Sequence, residues 1–317
     1  MRKDQRNEMN KLSVIVAIYK NEMNIIPFYE DFKANIAPYI DDYEIIMVND
    51  DSPDNSWDIM LDLAKKDKKI KIIKLARNFG AICASFTGIS LSTGDCVTVR
   101  ACDLQEPASL IIDMYNEWKK GAKTVIAVRE SREDPFTSKI FSNIYYRLVR
   151  LMVNKSMPLS GFDTYLIDRN VANMVIDMND RNSPITIQLL WLGIDIHQVS
   201  YTRKKRKIGK SSWTFSKKMK LFLDTFMGFS YVPIRLMSGF GIIFAIIAVI
   251  ITGKAIIDRL IGLTEIKGYT PIFAVVLFSS GMIMFSLGVL GEYLWRTFDS
   301  TRNLPMTVIS EKVNFDE

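Results

Sequence analysis

The chain has 317 residues, a formal charge of +6 and a hydrophobic fraction of 48%, enough for one α/β domain of about 200 residues and a smaller appendage. Cys83, Cys96 and Cys102 form no CxxC pair and His197 is the single histidine, which speaks against a disulfide framework and a zinc site and fits a reducing compartment. Nine of the basic residues lie between Arg203 and Lys220, just before the most apolar third of the chain, so the positive charge points to anionic lipid or phosphate and not to nucleic acid.

The N-terminal stretch MRKDQRNEMNK reads as a charged tail, residues 1–11. The apolar run after it is too short and too rich in β-branched residues for a signal-peptide core, so the domain that follows is expected in the cytosol. From Leu12 to about Arg203, LSVIVAIY, YEIIMVND, KIKIIKLA, CVTVRAC and KTVIAVRE read as buried strands. Between them NIIPFYEDFKANI, SWDIMLDLAKK and PASLIIDMYNEWKKG carry apolar residues at helical spacing. This alternation predicts an α/β domain over residues 12–212 with a mostly parallel sheet covered on both faces. IDIHQVSY adds a strand in which His197 is read as structural.

Residues 138–154 mix aromatic, leucine and basic positions, which suits either a helix in a membrane interface or a packed surface helix. Residues 215–231 look similar, and because a spanning segment follows, residues 213–235 are read as juxtamembrane interfacial helices. Leu236 to Gly253 and Gly268 to Gly291 carry no charge, and against the roughly 20 residues a span needs both qualify, the first only just unless it borrows from Tyr231 to Ile234. Two transmembrane helices within residues 236–291 are expected, buried core helices being the alternative. The basic cluster then faces the cytosol, and residues 292–317 form a cytosolic tail.

Neither GxGxxG nor GxxxxGK[ST] is present, which disfavours dinucleotide oxidoreductases and P-loop enzymes. Acidic residues sit instead where strands stop, at Asn49-Asp50-Asp51 and at Asp103-Leu104-Gln105. Carboxylates placed there can accept from a base or ribose and hold a divalent ion against a diphosphate. Turn caps are the simpler use of the same residues.

The order of VAIYKNEMNI, VNDDSPDNSW, LARNFGAICASFTGISLSTGD, CDLQEP, GFDTYLIDR, RKIGKSSW and GEYLWR resembles the family 2 glycosyltransferases. The likeness is to the polyprenyl-phosphate type, which includes dolichol-phosphate mannose synthases and bactoprenol glucosyltransferases, and it covers nearly the whole chain. It implies a GT-A, Rossmann-like nucleotide-diphospho-sugar transferase domain that moves a sugar from a UDP-sugar to polyprenyl (undecaprenyl) phosphate at the cytosolic face of the inner (plasma) membrane. Glucose is the sugar the resemblance favours.

By the same resemblance Ala17, Tyr19, Glu22, Asp50, Arg77 and Gln105 would bind the nucleotide sugar, Asp50 through the uracil ring. Asp103 would ligate Mg²⁺ or Mn²⁺ and Asp163 would be the catalytic carboxylate. Arg129, Arg132 and Arg206 would hold the acceptor phosphate, and Gly209 and Ser211 would belong to a flexible loop over the donor. The resemblance also implies a lipid bilayer as partner and a homo-oligomer, a tetramer in relatives. The usual Asp-x-Asp reads here Ala101-Cys102-Asp103, so one carboxylate is absent, and Phe162 and Tyr165 stand where many relatives have Gly and Arg. Two other readings stay open: a noncatalytic scaffold with this fold, and a processive polysaccharide synthase, for which Gln188-Leu189-Leu190-Trp191 lacks the expected arginine.

Overall fold

A computed structural model describes residues 10–130, 145–151, 154–158, 160–204, 224–228, 232–261, 269–302 and 304–315. The chain divides into two compact units: Met1–Phe222 with Leu304–Glu317, and Leu223–Asn303.

The first unit follows the predicted alternation. β1 (Lys11–Ile18) leads to α1 (Glu22–Asn35), β2 (Asp42–Asn49) to α2 (Ser56–Lys66), and β3 (Ile70–Leu75) to α3 (Ala81–Ser90). β4 (Cys96–Val99), α4 (Ala108–Lys119) and β5 (Thr124–Arg129) follow, then β6 (Tyr165–Asp168), α5 (Arg169–Met178), α6 (Ile185–Trp191) and β7 (Ile196–Tyr201). A last strand, β8 (Ile309–Val313), comes after the second unit. Among the described residues the sheet has eight strands in the order β7-β5-β6-β4-β1-β2-β3-β8. β1 pairs in parallel with β2 and β4, β2 with β3, and β5 with β7. β6 runs antiparallel to both neighbours and β8 antiparallel to β3, so the sheet is mostly parallel with two reversed strands.

Burial on both faces explains the near-continuous apolar strands. Leu12, Val14, Val16 and Ile18 of β1 share one cluster with Ile25, Phe28 and Phe32 of α1 and Leu110, Ile111 and Met114 of α4. On the opposite face α3 lies close to β1, because Gly88 has no side chain where a Cβ would strike Ile15. CVTVRAC stops being a strand at Val99, so Arg100 to Cys102 already belong to the turn. Within the segment read as 138–154, residues 145–151 are helical and Leu151 is exposed, while 138–144 and 152–153 lie outside the described residues.

The second unit holds α7 (Val232–Leu260) and α8 (Tyr269–Thr301). Phe244 and Phe278 pack between them with ring centroids 5.1 Å apart. Arg296 Nη2 donates to Asp224 Oδ1 at 2.8 Å and to Glu292 Oε1 at 3.0 Å, tying residues 224–228 to α8. Among the described residues one stretch, Val232–Ile251, is long and apolar enough to cross a membrane. Residues 269–291 of α8 carry no charge, and its Ile272, Val276, Phe285 and Leu290 are exposed. The uncharged run Leu236 to Gly253 falls in α7, the helix that holds Val232–Ile251, and the two-span arrangement is an expectation of the sequence.

Candidate active site

The sheet gathers the acidic turns at one edge. β1, β2 and β4 are parallel and stop at Ile18, Asn49 and Val99. β6 runs the other way, so its start, just after Asp163 and Thr164, lies at that same edge, with Val99 opposite Tyr165. Arg129 closes β5 opposite Tyr201 of β7. Strand order reverses at β1 and β4, the place where open α/β sheets bind ligands. Three non-glycine residues with positive φ, Lys20 at 54°, Asp51 at 52° and Leu104 at 55°, follow β1, β2 and β4. Such strain persists only where the surroundings fix it, and it gathers at functional sites.

Asp50 is 2% exposed, and its two carboxylate oxygens accept from the backbone N–H groups of Phe79, at 2.7 Å, and Gly80, at 2.9 Å. Burial raises its pKa, although those two N–H groups and Arg77 oppose the rise. Each oxygen keeps a second lone pair for a ligand N–H. The N–H groups of Phe79 and Gly80 ahead of α3, which with Arg77 could have cradled a phosphate, are instead occupied by this carboxylate. The Arg77 guanidinium lies 4.1 Å from the Phe79 ring centroid. Tyr19 is exposed and Ala17 half-buried at the end of β1. Glu22 accepts from the Asn55 N–H at 2.9 Å while its own N–H donates to Asp54 Oδ2 at 3.2 Å, so it also joins the starts of α1 and α2.

After β4 the Arg100 side chain turns inward and is fully buried. Its Nη2 donates to Asp31 Oδ2 at 3.3 Å and to the Glu106 carbonyl at 3.1 Å, and the guanidinium lies 5.2 Å from the Phe28 ring centroid. That brace closes the turn holding Asp103, whose Oδ1 accepts from the Gln105 N–H at 3.3 Å. Gln105 in turn holds the segment after β7: its carbonyl accepts from Lys204 N at 2.8 Å, and its Oε1 accepts from Arg203 Nη2 at 2.6 Å. Glu106 is buried beneath the turn and accepts from the Thr164 hydroxyl. Burial first, and then the Asp163 charge, push its pKa up to about 7. Cys102 is buried too, and burial moves its thiol to about 12, so it is unreactive.

Asp163 forms an ion pair with Arg129. The Asp163 side chain is 55% exposed and that of Arg129 only 13%, so the carboxylate is open to a ligand while the cation is held from behind. Arg129 Nε donates to the Tyr201 hydroxyl at 3.1 Å. Burial disfavours the Arg129 charge, but Asp163 and Tyr201 outweigh it and the pKa rises. Tyr201 is pushed up by burial and by Asp163. Gly161, with φ of 67°, starts this segment, and a Cβ there would collide with the Tyr146 ring. That steric demand explains the glycine of GFDTYLIDR.

The structure therefore brings Asp163 and Arg129 together and sets Asp50, Asp103 and Gln105 at the same edge. Arg132, Arg206, Gly209 and Ser211 lie outside the described residues. Sequence reasoning missed Glu106, Thr164, Tyr201, Arg203 and Lys204. Glu106 and Thr164 adjoin residues already singled out, but their burial left no local signal. Gln188 is buried, and its carboxamide donates to the Asp180 carbonyl at 3.0 Å and to Ser183 Oγ at 3.1 Å, a structural role that ties α6 to the turn before it.

Comparison with known proteins identifies the family. The Glycosyl transferase family 2 profile matches residues 13–174, just over half of the chain. A prophage bactoprenol glucosyl transferase homolog of Escherichia coli (strain K12) is 30% identical over 300 residues, covering 94% of this chain and 98% of that one. Bactoprenol glucosyl transferase of Shigella phage SfX is 29% identical over 305 residues, 95% of this chain and 99% of that one. The glycosyltransferase YkcC of Bacillus subtilis (strain 168) is 29% identical over 305 residues, 96% and 94% of the two chains. Among solved structures, glucosyl-3-phosphoglycerate synthase from Mycobacterium tuberculosis superposes with a TM-score of 0.47 at 14% identity, over 69% of this chain and 78% of that one, too loosely to carry functional weight. With the profile match and full-length relatives added to the strand-end carboxylates, the chain belongs to glycosyl transferase family 2 and is a glycosyltransferase.

Proposed function

We propose that the protein transfers one glucose from UDP-glucose to polyprenyl phosphate with inversion, at the cytosolic face of a membrane crossed by α7 and α8. The observation that carries this reading is the Arg129–Asp163 pair at the open strand edge, beside the Asp103 turn. The names of the full-length relatives support the lipid phosphate and the glucose. The apolar lengths of α7 and α8 support a multi-pass plasma-membrane protein with a cytosolic catalytic unit, and resemblance alone supports a tetramer.

In this mechanism an oxygen of the lipid phosphate attacks the anomeric carbon from the face opposite UDP. The new C–O bond forms as the bond to the β-phosphate breaks, and UDP leaves with the electron pair. A phosphate monoester is already ionised near neutral pH, so Asp163 need not be a strong base, and its main work is to orient the acceptor. Arg129 shares its fork between Asp163 and the incoming phosphate, a geometry that guanidinium supplies and ammonium does not. Arg132 and Arg206 would add to the same anion site, with the loop of Gly209 and Ser211 closing over the donor.

Among the described residues there is no group of three or more metal-ligating side chains. Mg²⁺ in nucleotide sites nevertheless takes one or two carboxylates and completes its shell with substrate phosphates and water. Asp103 supplies the one carboxylate of that demand, while Ala101 supplies nothing and the Gln105 carboxamide is engaged by Arg203 and the Lys204 carbonyl. A bound Mg²⁺ or Mn²⁺ would neutralise charge building on the leaving nucleotide.

The test is a transfer assay of the full-length protein with a panel of UDP- and GDP-sugars and undecaprenyl phosphate, with and without Mg²⁺ or Mn²⁺. A single lipid-linked glucose from UDP-glucose is expected. Addition of many sugars to one acceptor, or transfer only from GDP-sugars, would overturn the proposal. If Asp50 accepts from the uracil N–H, Asp50→Ala should raise the donor KM about 10- to 100-fold, the worth of one charge-assisted hydrogen bond. An unchanged KM would remove Asp50 from the nucleotide pocket.

A further inference from the structure

Glu106 follows Gln105 at the end of the Asp103 turn and directly precedes Pro107, the residue that caps α4. The segment it closes is strained, since Leu104 has a φ of 55° without being glycine. Arg100 fixes the backbone of Glu106 from below by donating to its carbonyl at 3.1 Å. The Glu106 side chain then crosses from the β4 side of the site to the β6 side and accepts from the hydroxyl of Thr164, the residue after Asp163. Thr164 is 2% exposed, and its carbonyl accepts from Ala127 N at 3.0 Å, so the partner is itself anchored to β5.

A buried carboxylate is a costly way to fill space, because a buried charge must be compensated and an apolar side chain of the same volume packs without that cost. Here the compensation is partial. Oε1 has Thr164, whereas Oε2 has no hydrogen-bond partner among the described residues. Local choices that work against stability concentrate where function requires them. Glu106 stands where a rigid link would join the turn carrying Asp103 and Gln105 to the segment carrying Asp163.

We propose that Glu106 is a positioning residue, which through the Thr164 hydroxyl fixes the Asp163 carboxylate relative to the Asp103–Gln105 turn. This rests on the role given above to Asp163. The link works through an acceptor oxygen and not through charge, because Thr164 offers a neutral hydroxyl. Small displacements between reacting groups cost rate far more than they cost ground-state binding.

The experiment compares Glu106→Ala, Glu106→Gln, Thr164→Val, Thr164→Ser and the double variant E106A/T164V in the full-length protein, with Asp163→Asn alongside. Readouts are kcat and donor KM for transfer to undecaprenyl phosphate, and the thermal midpoint. Glu106→Ala and Thr164→Val should each lower kcat about 10- to 100-fold with donor KM within about threefold. The double variant should fall no further than either single one, as expected of two halves of one link. Glu106→Gln and Thr164→Ser, which keep the acceptor and the hydroxyl, should restore kcat to within about threefold. If Glu106→Ala fails to fold, the Thr164 pair and Glu106→Gln still decide the matter. Near-normal kcat in Glu106→Ala or Thr164→Val, beside an inactive Asp163→Asn, would overturn the link alone. Additive losses in the double variant, or no rescue by Glu106→Gln, would overturn it as well. Full activity in Asp163→Asn would remove the reading beneath it, and the link with it.

Discussion

Asp163→Asn should lower kcat by about 10³-fold while the donor KM changes less than about threefold, within the range that loss of one acid–base or orienting carboxylate spans. The substitution preserves volume and leaves an amide oxygen facing Arg129, so the turn after Gly161 has no reason to move. It removes the negative charge that Arg129 needs, and the Arg129 side chain is only 13% exposed. The unpaired guanidinium would then hold the acceptor phosphate too tightly and in the wrong place, with the Tyr201 hydroxyl as its remaining described partner. Arg129→Lys, which keeps the charge and loses the fork, should instead weaken the lipid phosphate about tenfold in KM. Asp62→Asn is the control, since Asp62 pairs with Lys65 on the exposed face of α2 and both side chains are about two-thirds exposed. Steady-state rates with undecaprenyl phosphate check all three. Should Asp163→Asn retain a third or more of normal kcat, Asp163 has no place in the chemistry.

Much of this arrangement was legible in the chain because its signals are local. The runs that became β1, β2, β3 and β5 are short, apolar and β-branched, and both of their faces are covered, so nothing competes with the strand pattern. β6 escaped notice because it has only four residues, buried within a string read for its aspartate. β8 escaped for a different reason. Its sequence, ISEKV, has two charges in five residues and is mostly exposed. It is a strand because β3 offers an edge and because Asn314 Nδ2 donates to the carbonyls of Ala64 and Ile70, both at 2.8 Å. Contacts that close over some 240 residues leave no periodic trace. α3, AICASFTGIS, lacks an amphipathic stripe because most of its residues are buried.

The site divides along the same line. Asp50, Asp103 and Asp163 stood out because turns that carry carboxylates recur in a fixed order. The Arg129–Asp163 pair depends on the antiparallel register of β5 against β6, which puts Ile126 opposite Tyr165 and is invisible before the sheet is assembled. Glu106 went unread because glutamate is rarely buried, so its type argued for the surface. Tyr201, Arg203 and Lys204 were concealed by a charge run whose ordinary meaning is a solvated face. Hydropathy placed the run from Leu236 to Gly253 inside α7 at both ends, since the helix already starts at Val232. The helix continues past Gly253 through Lys254 and Asp258 to Leu260, because helical hydrogen bonding does not stop where apolarity does.

The other large effect is expected at the opposite edge of the sheet, in a group with no part in the chemistry. Glu44 lies near the start of β2 with a side chain only 2% exposed. It pairs with Lys71 at 2.8 Å and Lys11 at 3.1 Å, and accepts from Ser13 Oγ and the Thr93 N–H, both at 2.6 Å. Ser13 Oγ in turn accepts from Gly94 N at 2.8 Å, so one carboxylate organises the entry to three strands. Glu44→Ala strands two lysines and two donors, and should cost about 3–5 kcal/mol of stability with the rate per folded molecule unchanged. Glu44→Gln separates charge from shape. Burial alone would raise the Glu44 pKa, but Lys71, Ser13, the Thr93 N–H and Lys11 outweigh it and hold it at about 2, against an ordinary value of 4.5. A folded-state pKa below the unfolded one gives stability that is complete above pH 4.5 and is lost as pH falls toward 2. The full amount corresponds to roughly 3 kcal/mol. The gap in thermal midpoint between the natural protein and Glu44→Gln should therefore be constant from pH 7 down to about 5 and should narrow by pH 3. A gap that stays constant to pH 3 would mean that the hydrogen bonds hold this corner and the charge does not.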